Sequence, residues 1–324
     1  MSLFSLLLFA QFFSGTIYSP PNQQDYTLYH QSILKAETEI AQQNYEEAIA
    51  LYANLFEEYD FVFLKDYKIA TQVAIQLERD SLAWAYLQRG MAAGWTLSAM
   101  KKNKMVKRWG KDFGWKRIKK TYEQQHALFS KRLNTDLRKQ TKQLMKKDQR
   151  KAFGAFIRIR DKAQDRYAEK QFAPHSEQQM LCLKQLMASY GYPGEQLVGT
   201  EIWASTILSH HNSISTAYNR ADTIYPALRG DLQNAVKRGE MSPYAFALVA
   251  DWQIAVSSDR QAAGYGYINE LKQADLAKAD QLRAAIGIRS IALRNQLIEI
   301  EQATGMNFYL FGAPWVVGKI EPRS

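Results

Sequence analysis

With one cysteine and five histidines in 324 residues, the chain lacks the raw material of several common chemistries. A single thiol, Cys182, excludes an internal disulfide and a cysteine-based zinc site, and it reads as a packing residue rather than a nucleophile. No stretch approaches the ~20 consecutive apolar residues needed to span a bilayer. Phosphate loops, dinucleotide fingerprints, nucleophile elbows and helical H-E-x-x-H pairs are also missing, so no metal and no cofactor is expected. Nor is there an alternating apolar/polar run long enough for a sheet domain. What remains is an all-α reading.

The composition is that of a folded protein, with 46% hydrophobic, 12% aromatic and 23% charged residues, and the length favours two domains. The first element is an apolar run of eleven, Leu3 to Phe13. It has the length of a signal-peptide core, so residues 1–20 read as a signal peptide and the chain as exported to the periplasm or cell envelope. The alternative is a cytoplasmic chain whose greasy amino-terminal helix packs on the body. No lysine or arginine precedes the run and no A-x-A site follows it.

Residues 21–100 read as tetratricopeptide-like helical hairpins. NYEEAIALY (44–52) lies over RDSLAWAYL (79–87) with a period of 35, setting Ala48 on Ala83 and Tyr52 on Leu87. Between them Ala70, Val73, Ala74 and Leu77 form one apolar helical face, and Gly90 and Gly94 close the last helix. An array of two units leaves an open end and needs a cap from a neighbouring domain. Such repeats imply a protein or peptide partner.

Charge is uneven. Residues 101–170 hold 24 of the 42 Lys and Arg against 7 acids, which implies an anionic surface or ligand there. The 101–131 stretch, with Gly110 and Gly114, reads as a basic connector, a loop or broken helix. Its aromatics Trp109, Phe113 and Trp115 suit packing on the repeat end better than a single-stranded nucleic-acid groove, and no nucleic acid is expected. A long basic helix over 132–170 carries Leu133, Leu137, Thr141, Leu144 and Asp148 on one stripe, which makes Asp148 a half-buried carboxylate in want of a partner. The rest of a 132–300 helical domain follows. Ser176 and Gln179 have capping-box spacing, and Gly191 suits a helix end. Residues 301–324 form an extended tail or short strand pair.

From about Lys146 to Ile288 the chain resembles an uncharacterised bacterial family, a domain of unknown function met mostly in Bacteroidota. KKDQR (146–150), LMASYGYP (186–193), TILSHHN (206–212), AFALVAD (245–251), GYGY (264–267) and DQLRAAIGI (280–288) carry the resemblance, in order and spacing. It implies a helical domain and brings no established activity. Of the family's polar pattern, Asp148, Gln149, His210, Asp251, Arg283 and Gly287 match. Ala152 stands where the pattern has Arg, Trp252 stands where it has Arg after the Asp, and residues 263–268 lack its Gln and Thr.

Two functions follow. In the first the chain is an exported, non-catalytic scaffold that binds a partner through its repeats. In the second it is a hydrolase-like or small-ligand-binding domain built on Asp148, His210, Asp251 and Arg283, with Gln149, Tyr265 and Gly266 as further ligand contacts. The deciding residues are His210 and His211. On a helix they diverge by about 100° and cannot share a metal. The pattern sets His210 with Ile207 and Ile214, facing the core, and leaves His211 wet. His210 is then either a core histidine bonded to a carboxylate or a general base oriented by Asp148 or Asp251.

Overall fold

The computed structural model describes residues 24–157, 161–310 and 318–324, so the apolar run and the signal-peptide reading of residues 1–20 lie outside the described residues. The chain is all-α. The first four helices are α1 (Tyr26–Ala41), α2 (Tyr45–Glu58), α3 (Leu64–Gln76) and α4 (Asp80–Ala92), packed as the pairs α1/α2 and α3/α4. Ala48, Ala83, Tyr52 and Leu87 are all fully buried in their core. Small residues at equivalent positions let the helices approach, and aromatic rings fill the rest. Tyr29, Tyr59, Tyr26 and Phe63 meet edge to face at centroid distances of 5.1–5.9 Å, geometry that adds to their burial.

Next come α5 (Leu97–Lys102), α6 (Lys104–Phe113) and α7 (Trp115–Arg132). The basic 101–131 stretch is therefore helical, with breaks at Asn103 and at Gly114 (φ 107°). Asn103, whose side chain accepts from the Val106 N–H, restarts the helix after α5. The aromatics of this stretch pack against α4, the favoured alternative to a nucleic-acid groove, with Phe113 5.2 Å from the Trp84 ring. Trp109 stacks on Phe113 at 4.3 Å and donates its indole N–H to Asp80.

The second half comprises α8 (Thr135–Phe156), α9 (Asp161–Tyr167), a π-turn (Ala168–Phe172), α10 (Ala173–Tyr190), α11 (Glu195–Val198), α12 (Ile202–His211), α13 (Thr216–Ala221), α14 (Ile224–Lys237), α15 (Pro243–Ser257), α16 (Leu276–Ala285) and α17 (Ile291–Thr304). Three expectations change here. The long 132–170 helix begins only after the Asn134 cap and is divided into α8 and α9. Ser176 does not cap a helix: α10 continues from the π-turn, and Ser176 sits inside it with its hydroxyl on His211. Cys182 is exposed on α10 rather than packed.

The open end of the repeats is covered from the far end of the chain. Leu297 and Ile300 of α17, with Met306 and Phe308 beyond it, join the repeat core. Gln72 fixes this segment by holding Asn307 through both its amide groups, Nε2 to the carbonyl at 2.9 Å and Oε1 to the N–H at 2.8 Å. A buried ion pair between Glu37 of α1 and Arg289, just ahead of α17, locks the same seam at 2.5 and 2.9 Å. A bridge between Lys272 and Arg323 is the only β-type pairing among the described residues.

Candidate functional site

α12 decides the histidine question, and in the opposite sense to the sequence pattern. Ala204, Ile207, Leu208 and His211, at i, i+3, i+4 and i+7, make its core face, and all are buried. Ile202, Ser205, Thr206, Ser209 and His210 form the next stripe, which lines a cavity of about 450 Å³. His211 is thus the buried histidine, and His210 keeps 30% of its side-chain surface. The grouping of His210 with Ile207 and Ile214 fails because the helix ends at Asn212, so Ile214 lies beyond its periodicity.

His211 is hydrogen-bonded at Nδ1, and its Nε2 lies at ion-pair distance from a carboxylate without a hydrogen bond to it. Ser176 Oγ lies 3.0 Å from Nδ1 and Asp222 Oδ2 lies 3.3 Å from Nε2. Burial alone would raise Asp222, but His211 and the N–H groups of Ile224 and Tyr225 hold it below the usual carboxylate range. A Ser–His–Asp chain suggests nucleophilic catalysis, yet Ser176 and His211 are both sealed from solvent, so no substrate can reach the hydroxyl. The chain is a structural relay tying α10 to α12 and to the start of α14.

His210 pairs with Asp148, Nδ1 to Oδ2 at 2.6 Å. The carboxylate is fully buried, which explains the partner its place on α8 demanded. With Nδ1 committed to Asp148, Nε2 is the nitrogen available to a ligand. Exposed Gln149 donates weakly to the same carboxylate at 3.5 Å.

The other sequence candidates belong to a separate device. Asp251, pushed up to about 6 by burial and restrained by the N–H groups of Tyr267 and Tyr265 and by Arg283, accepts from those two N–H groups. Gly264 is required there, because a Cβ would lie 2.4 Å from Asp251 Oδ1, and Gly266 adopts φ 79°. Arg283 donates to the Tyr265 and Arg289 carbonyls at 2.8 Å each. With Asp251 2% and Arg283 0% exposed, this set shapes a loop. The structure therefore joins Asp148, Gln149 and His210, and puts Asp251, Tyr265, Gly266 and Arg283 elsewhere.

The cavity beside His210 has walls the sequence reading missed. From α15 come Tyr244, Leu248 and Trp252, on one helical face, and from the repeats comes Lys65. The Lys65 ammonium is 3.5 Å from Glu37, 3.7 Å from Asp66 and 4.6 Å above the Tyr244 ring. Glu201, at the start of α12, accepts from the Glu195 and Ser242 N–H groups through Oε1, at 3.2 Å each. Burial, reinforced by the nearby Glu195 carboxylate, pushes it up to about 8, so it is neutral at pH 7. Its Oε2 and the Ser209 hydroxyl are buried without a hydrogen-bond partner among the described residues. The 205/206/209 polar spacing on α12 was a readable signal of a polar face. Nothing local announces Lys65, 136 residues before Glu201.

A second cavity, about 680 Å³, meets the first at His210 and Trp252 and runs out past Gln149 and Phe153. Among the described residues no group of three or more His, Cys, Asp or Glu could hold a metal ion, and no helix is long and apolar enough to cross a membrane. No protein-family model, curated protein or solved structure matches the chain.

Proposed function

We propose that the protein is a helical binding protein that holds a small amphiphilic molecule in the cavity between its repeats and its second half. The carrying observation is the pair of buried polar atoms without a partner among the described residues, Glu201 Oε2 and Ser209 Oγ, on a cavity whose apolar wall includes Leu248, Trp252 and Ala245. A buried donor or acceptor without a partner costs about 1–3 kcal/mol. A ligand whose polar end satisfies both groups recovers that cost, while its apolar part covers the α15 wall. Neutral Glu201 donates a hydrogen bond, Ser209 donates or accepts, and His210 offers Nε2 at the far rim. The reading keeps the ligand-binding alternative, with Asp148 and His210 retained and Asp251 and Arg283 reassigned to support. The kinship with the bacterial family of unknown function, the tetratricopeptide-like character of the repeats and the exported location stand beside it as further proposals.

The test uses the fluorophore 1-anilinonaphthalene-8-sulfonate, an apolar ring system with one polar head. One binding site per chain is expected, lost in Ala245→Trp, which fills the cavity, at unchanged melting temperature and circular dichroism. Undiminished binding of the fluorophore to the folded Ala245→Trp variant would sink the proposal.

A further inference from the structure

The outer face of α8 carries a second, independent surface. Lys146, Arg150, Phe153 and Ile157 follow one another at i, i+4, i+7 and i+11, one stripe of the helix, with Lys147 and Lys151 alongside. All six are exposed. None of the four cations forms an ion pair among the described residues. At the helix end the character changes: Phe153 is 61% and Ile157 58% exposed, two of the largest apolar exposures in the molecule. Folding leaves these two side chains in water although the opposite face of α8 is buried through Leu137, Thr141 and Asp148.

A shaft of cations ending in two apolar side chains matches the layering of an anionic bilayer. Phosphates lie at the depth of the ammonium and guanidinium groups, and acyl chains begin where Phe153 and Ile157 would reach. A nucleic acid fits the surface less well. Its bases need several exposed aromatic faces in a charged groove; Trp109 and Phe113 stack on each other, Trp84 lies against Phe113 at 5.2 Å, and Phe153 is the one exposed ring on this stripe. An aliphatic Ile157 offers a base nothing to stack on.

We infer that the carboxyl-terminal end of α8 docks the protein on the surface of anionic membranes, with Lys146, Lys147, Arg150 and Lys151 at the headgroups and Phe153 and Ile157 inserted between them. The inference stands whether or not the cavity binds an amphiphile. Phe153 is nevertheless a wall of the 680 Å³ cavity that ends at His210, so docking sets the mouth of that cavity against the lipid.

Co-sedimentation of the full chain with phosphatidylcholine vesicles, with and without phosphatidylglycerol, tests this. Binding is expected only with the anionic lipid, weakening as salt rises, because each cation contributes about fivefold. Lys146→Glu/Arg150→Glu lowers affinity by more than about tenfold. Phe153→Ser/Ile157→Ser lowers it by about tenfold at unchanged net charge, an effect of lost apolar insertion alone. Both pairs are exposed, and circular dichroism checks that they fold. Equal binding to neutral vesicles, or binding that neither pair reduces, overturns the inference and assigns attachment to the amino-terminal apolar run, which both variants keep. Binding to phosphatidylglycerol vesicles that responds to the charge pair but not to the apolar pair also overturns it, since a bare polyanion site behaves that way.

Discussion

The repeat half and the second half bury comparable material by different means. In α1–α4 rings and methyl groups dominate, with Tyr29, Tyr52, Ile69, Ala70, Val73 and Leu87 essentially sealed, and of the buried polar side chains Glu37 and Gln72 are turned to the far end of the chain, on Arg289 and Asn307, while Asp66 accepts from Tyr29. In α8–α16 the apolar core is studded with polar side chains on fixed errands: Ser176 on His211, His211 on Asp222, Asp148 on His210, Asp251 on the 265–267 backbone. Apolar packing tolerates substitution of similar volume, whereas a buried polar device fails when one member is removed. The same loss of side-chain atoms should therefore cost more at these polar devices, the seam included, than at the apolar positions of either half.

The largest effect is expected at the seam. Glu37 and Arg289 are both buried and doubly hydrogen-bonded across 252 positions of sequence. Arg289→Met removes both hydrogen bonds and leaves Glu37 only the ammonium of Lys65, 3.5 Å away, and should cost about 3 kcal/mol, while Glu37→Met/Arg289→Met recovers much of that loss. Urea unfolding of the two variants measures both numbers. A loss below about 1 kcal/mol in the single variant would mean that Lys65 compensates Glu37 and that the seam rests on the Gln72–Asn307 hydrogen bonds and apolar contact.

The two adjacent histidines bring the contrast down to neighbouring residues. His211→Ala leaves Ser176 and Asp222 without their shared partner in a dry interior and should cost about 2–3 kcal/mol, with the affinity of the cavity for the fluorophore unchanged. Removing His210 together with the charge it faces, in His210→Ala/Asp148→Asn, should cost less than about 1.5 kcal/mol and weaken fluorophore binding. If both variants lose stability and leave the affinity alike, the second half holds two relays and His210 has no part in the cavity.

How far the sequence carried follows from the same contrast. Ala48/Ala83 and Tyr52/Leu87 were readable because repeats write local geometry as a period, and the role of the 109–113 aromatics was readable because they stood beside the end they cover. Asp148 was identifiable as a half-buried carboxylate from its place on an apolar stripe, and it was one of the two carboxylates expected to orient His210. The orientation of α12 was not readable. Its turns offer two overlapping stripes, one with Ile207 and Leu208 and one with Ser205, Thr206 and Ser209, and carrying the period past Asn212 to Ile214 tipped the choice the wrong way. Lys65 and Glu201 were invisible for another reason: their meeting depends on how the two halves close, a long-range fact with no local trace. Asp251 and Arg283 drew attention as matches to the polar pattern of the family the chain resembles, and such residues hold loops as readily as they hold ligands.

The smallest expected effect tests whether the cavity wall behaves like the seam or like the repeats. Glu201 is pushed from an ordinary 4.5 up to about 8 by burial first and by Glu195 second. The folded state thus holds this proton more tightly than the unfolded chain does. Its contribution to stability is complete below about pH 4.5 and fades as pH rises toward 8, where the folded carboxyl must ionise inside the cavity. Glu201→Gln keeps the two backbone hydrogen bonds and removes the titration, so unfolding free energies of parent and variant, taken every half unit from pH 5 to 9, should diverge as pH rises. Glu201 is half-buried, and water reaching it limits the divergence to about 1–2 kcal/mol. Fluorophore binding should follow the same curve in the parent and flatten in Glu201→Gln, because only the neutral acid offers the ligand a donor. Parallel stability curves would mean that Glu201 is ionised across the whole range, and the cavity would then present a carboxylate in place of that donor.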